Sequence, residues 1–427
     1  MTFARRSLAA LVAAPLLVLG SSLAAQQRWP AGHARAGLVQ EPLQASPYAD
    51  DVDHVANRLF CRLWTATLAP AEVAQVVPGE APLPFVEGWV HKKRKGTNGD
   101  RGTFGGDGRM LPLEGLDDDA AKALRADLLA LDDKAIAALQ TNPALAVHLQ
   151  NDLLRAAQRL LDVERNLDLV PLLRDTALRL GLAQQQLALL PDTLRLALGG
   201  DTPALPANEL PQQLGGTATG FREITRRSTR LFDAEHTLLW SRVFLRHPDG
   251  EAALATLLPK PGEKPAKGPG PTAPIGFRAV LVQGLVAIDA AGTPRATPLV
   301  VDVRTQTLMN REPLGAGNAT FTHDGLDFGI WQLQREGLRR GAPRQFFRAV
   351  HADDLDLFRD YGTAKLTTYR GQCSLCHRVS DSPEPELAGF PVLRAHVQAA
   401  FAVTGDERLR LAEEQVGKLL GKLRAAN

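Results

Sequence analysis

FRAVLVQGLVAIDAAGTPRATPLVVDVRTQTL, residues 277–308, decides the fold class. Val, Leu, Ile and Thr crowd two runs, 277–289 and 298–308, and AAGTPRAT between them is a turn signal. Branched side chains are stiff at χ1 and pack well on a pleated surface, so the pattern predicts a β-hairpin with a longer loop. Phe328 to Leu333 adds a further candidate strand and Ala349-Val350 another. We expect a small antiparallel β portion over residues 276–350, with a helix at its edge.

Upstream the character changes. LLPKPGEKPAKGPGPTAP (257–274) is dense in Pro, Gly and Lys and reads as an exposed linker over 257–275. Residues 51–256 before it read as a mainly helical domain. Val55, Leu59 and Leu63 share one face of a helix that Pro70 ends. Asp117, Asp118 and Asp119 suit a helix N-terminus, and Leu124, Leu128, Leu131, Ile136 and Leu139 follow at helical spacing. The segments 144–161 and 187–198 repeat that character, which predicts antiparallel helices burying leucine stripes. Residues 219–247 are expected to form another helix, carrying Phe232, Leu239 and Trp240. The stretch 78–116 is Gly- and Pro-rich and holds the basic run His91 to Lys95. That run reads as an anion patch or a solvated turn, without the glycine spacing of a phosphate loop.

The N-terminus has a basic start (Arg5, Arg6), an apolar run from Leu8 to Leu19, and small residues around Ala24 and Ala25. The run is shorter than the roughly 20 residues a membrane span needs. It reads as a signal peptide over residues 1–25, followed by a flexible lead-in over 26–50. The expected mature chain is therefore periplasmic or secreted, with no membrane span. A formal net charge of +2 is too small for nucleic acid to be the main partner.

The chain has three cysteines, and two of them fall in GQCSLCHRVS, residues 371–380. Cys373, Cys376 and His377 form C-x-x-C-H. With three Cys and ten His in 427 residues, chance produces this pattern in roughly one such chain in two thousand. Two thiols and an adjacent imidazole can hold one porphyrin by both vinyl groups and reach its iron from one face. Other readings are a thioredoxin-like redox pair, which needs a βαβ context, and a zinc corner drawing on Cys61 and His396. A local structural disulfide is a further one. Cys61 itself, beside Phe60 and Trp64, reads as a buried inert thiol.

At this motif the chain resembles c-type cytochromes, over the pentapeptide and more loosely over 351–427. The resemblance implies one covalent haem c, with Cys373 and Cys376 as thioether anchors and His377 as the proximal iron ligand. It departs from small mono-haem cytochromes c in having no methionine after His377. His396 is the downstream histidine that could be the second metal ligand. Met309, His351 or an open sixth position are the alternatives. Two protein ligands imply electron transfer with a redox partner protein, and an open position implies small-ligand or peroxide chemistry. A non-haem interaction protein with a structural Cys pair is the third reading.

The expected fold is therefore α+β. A mainly α-helical N-terminal region precedes the small antiparallel β portion, and a helical haem-binding region covers 351–427. Its last helix starts at Thr404-Gly405-Asp406-Glu407, a T-x-x-E capping box, and carries an apolar stripe of Leu409, Val416, Leu419, Leu420 and Leu423.

Overall fold

The computed structural model describes residues 46–67, 116–199, 204–226, 234–258, 273–309, 326–349 and 405–426. It also describes short strands at 38–39, 85–87, 91–92, 103–104, 321–323, 355–360, 363–368 and 400–401. The fold is mixed α and β. We number the strands of the main sheet β1 Phe221–Arg226, β2 Leu239–Arg246, β3 Arg278–Ile288, β4 Pro294–Leu308, β5 Phe321–His323, β6 Leu326–Leu333, β7 Phe347–Ala349 and β8 Ala400–Phe401. All pairings are antiparallel, in the order β5-β6-β4-β3-β2-β1-β8, with β7 also pairing β6.

The predicted hairpin is β3 and β4 at the centre of this sheet. Its turn is held by Asp289, whose Oδ1 accepts from the Ala291 N–H at 3.0 Å and the Thr293 N–H at 2.8 Å. Burial pushes the Asp289 carboxyl up, but those two N–H bonds and the Arg295 guanidinium outweigh it and hold the pKa below the usual value. Gly292 takes the left-handed conformation at φ 77°, which costs a residue without a Cβ nothing. The expected strand at 328–333 is β6, Ala349 ends β7, and the helix Arg335–Arg339 lies between them.

Two expectations are corrected. Residues 219–247 form strands β1 and β2, joined through a short helix Ala234–Thr237, rather than one mixed helix. β2 is buried along nearly its whole length, so its apolar residues form a run instead of alternating, and a run does not separate strand from helix. The sheet accordingly begins at Phe221, ahead of the expected linker. Residues 355–360, expected to be helical, form a strand antiparallel to 363–368, with Leu355 opposite Thr368 and Asp360 opposite Thr363. Leu355 and Leu357 alternate with Asp354 and Asp356, the period of a strand.

The helices used below are α1 Val55–Trp64, α2 Asp118–Ala130, α3 Asp133–Gln140, α4 Pro143–Val163, α5 Val170–Arg179, α6 Arg335–Arg339 and α7 Gly405–Ala425. Asp117 and Asp132 cap α2 and α3, each side chain accepting a backbone N–H at 2.8 Å. Asn142 caps α4 with Pro143 in its first turn, where a missing N–H costs nothing.

α4 is buried on almost every side from Ala144 to Leu160, so its polar residues must be satisfied inside the fold. Gln150 donates to the Ala177 and Ile288 carbonyls and accepts the Ile288 N–H, tying α5 to the end of β3. Asn151 donates to the Leu238 carbonyl at 3.3 Å and Gln158 to that of Glu235 at 2.8 Å. α7 completes the layer. Its predicted apolar stripe is buried from Val416 to Leu423, and it packs on β2, β4, α4 and α5. Glu413 accepts the Ala296 N–H and Gln415 that of Ala234, both at 2.8 Å, while Arg174 donates to the Leu423 carbonyl at 2.9 Å. One continuous apolar core joins the helices to the sheet.

Candidate functional site

Cys373, Cys376, His377 and His396 lie outside the described residues, as does His351. What the structure places is the chain on either side of them. Ahead of the motif the antiparallel hairpin 355–368 lies beside the strands 85–87 and 91–92. After it, β8 pairs with the end of β1, Ala400 opposite Arg226 and Phe401 opposite Thr225. The chain then enters α7 and is fixed to the core. The predicted signal peptide and the basic run from Lys93 to Lys95 also lie outside the described residues.

Two residues considered as ligands are described. Met309 follows the last residue of β4 and is 45% exposed. Cys61 is 3% exposed on α1, between Phe60 and Leu63 in the apolar core. A zinc corner using Cys61 would have to draw its other ligands into that core. Among the described residues no group of three or more His, Cys, Asp or Glu could hold a metal ion, and no helix is long and apolar enough to cross a membrane.

The most developed polar cluster among the described residues was not anticipated from the sequence. It sits where α1, α4 and α6 meet. Arg335 donates through Nη1 to Asp152 Oδ2 and through Nη2 to Asp152 Oδ1, both at 2.8 Å. The Tyr48 hydroxyl donates to Asp152 Oδ2 at 2.5 Å, and Arg335 Nε donates to His148 Nδ1 at 3.3 Å. The guanidinium lies over the Phe60 ring at 5.1 Å and the Tyr48 ring at 5.6 Å, within cation–π range. All five residues are buried. His148 and Asp152 stand four apart on one face of α4, which is the spacing that stacks side chains on a helix. Asn57 anchors the same corner, accepting the Tyr48 N–H at 2.9 Å and donating to the Ala49 and Asp51 carbonyls. Residues 46–50, expected to be part of a flexible lead-in, are thus docked by Tyr48. Asp152 accepts three hydrogen bonds from Arg335 and Tyr48, so its charge is committed to holding these elements together.

A second charged group lies at the start of α7. Glu223 on β1 accepts from Arg242 on β2 at 2.9 and 2.8 Å. Arg408, one turn into α7, has buried Nε and Nη2 atoms without a hydrogen-bond partner. Burial lowers the pKa of its guanidinium, and the Glu223 charge opposes that. His247 Nδ1 accepts the Asp249 N–H at 3.0 Å and its ring meets Phe277 edge-on, while Glu235 pairs with Lys422.

In comparisons with known proteins, no family model, no curated protein and no solved structure matches the chain.

Proposed function

We propose that the chain is an exported mono-haem c-type protein that transfers electrons through a covalently held haem. The observation that carries this reading is Cys373-x-x-Cys376-His377. The donor set fits the group: each thiol adds across one vinyl, its hydrogen passing to the neighbouring vinyl carbon, and the imidazole is adjacent in sequence for the iron. When bound, the haem would supply a one-electron couple at the iron. His396, Met309, His351 or no residue completes the coordination, and a redox protein would be the partner.

The surroundings of the motif support haem over a thiol oxidoreductase. That chemistry is expected where C-x-x-C follows a strand inside a parallel βαβ unit. The strand ahead of Cys373 is Thr363–Thr368, and its partner is antiparallel and immediately upstream.

The test is the intact mass of the mature protein, expressed in a host that attaches haem c, together with haem staining after denaturation. One haem added to a chain shortened near Ala25 is expected. A mass equal to the processed chain less two hydrogens would replace this reading with a structural disulfide. Carbon monoxide binding by the reduced protein would favour a peroxidase-like enzyme with an open site.

A further inference from the structure

We draw no further inference here: the strongest candidate, the pair of guanidinium groups of Arg242 and Arg408 beside Glu223 where the C-terminal helix α7 begins, is a helix N-terminus at which Glu223 already supplies the negative charge and no second observation points to a bound anion.

Discussion

Asp152 and Arg335 are 183 positions apart in sequence and meet in a two-pronged ion pair that is buried on both sides. It joins the central helix α4 to the first residue of α6, and Tyr48 and His148 close around it. Desolvation of two charges is costly, so the pair adds little net stability over apolar side chains of similar volume packed in its place. Removing one partner is different, because it strands a charge in the core. Arg335→Met is expected to cost about 3–5 kcal/mol in urea unfolding. Tyr48→Phe, which deletes one bond to a carboxylate, is expected to cost about 2 kcal/mol. The double variant Asp152→Leu with Arg335→Met should recover most of the loss. A double variant no more stable than Arg335→Met alone would show that the polar partners around the pair, rather than the pair itself, set the cost.

Gly284 marks the register shift between β3 and β4. A Cβ there would stand 2.2 Å from Trp240 Cζ2 and 2.8 Å from the Leu299 carbonyl oxygen. The indole cannot swing away freely, because its Nε1–H donates to the Thr297 carbonyl at 2.8 Å. Gly284→Ala should therefore destabilise by at least about 1–3 kcal/mol, the cost of overpacking a tight interior. The thermal midpoint and the Trp240 fluorescence should move together. A stable variant with an unchanged spectrum would mean that the ring does not fill this space.

His54 precedes the first turn of α1, and its Nδ1 accepts the Ala56 N–H at 3.2 Å, which requires the neutral ring. Burial lowers its pKa below the ordinary 6.5, the Arg58 charge adds to that, and Asp51 opposes it. The unfolded chain thus takes up the proton first as pH falls. The contribution is fully present above the unfolded value of 6.5 and is lost as pH drops from there through the folded value. His54→Asn keeps an acceptor at the cap but does not titrate. Its unfolding free energy should fall less than that of the parent protein over that window, and parallel pH curves would remove His54 as a contributor.

The legible parts of the fold are those where local pattern and burial agree. The 277–308 hairpin declared itself because branched residues fill both strands and Gly292 sits in the turn. The capping box and apolar stripe predicted α7 for the same reason. β2 reads as helix in the sequence because LLWSRVFL is buried nearly throughout, and its Leu239 and Val243 also fit helical spacing. The strand 355–360 does alternate, but a short stretch between unlike neighbours gives that period little weight. The polar cluster was missed for a different reason. His148 and Asp152 look like solvated positions on a leucine-striped helix, and the spacing of four was the available signal. Their partners, Tyr48 and Arg335, come from distant parts of the chain, and no local periodicity carries such a pairing. Cys373-x-x-Cys376-His377 is the reverse case: the proposal it carries rests on five consecutive residues and on no tertiary pairing.

That independence makes the cysteines separable in experiment. If Cys373 and Cys376 each anchor one vinyl, then Cys373→Ser and Cys376→Ser should each keep one thioether and leave one vinyl conjugated with the porphyrin. The reduced pyridine complex of either variant should absorb at longer wavelength than that of the parent protein. In the doubly substituted chain no thioether remains, and acidified organic solvent should extract whatever haem is bound. His377→Ala leaves both thiols in place, so it tests iron ligation apart from attachment. Any haem it retains should stay covalent, with a visible spectrum altered from that of the parent. Identical pyridine spectra for the parent and both single-cysteine variants would exclude two thioether bonds to one haem, and with them the assignment of Cys373 and Cys376 as its anchors.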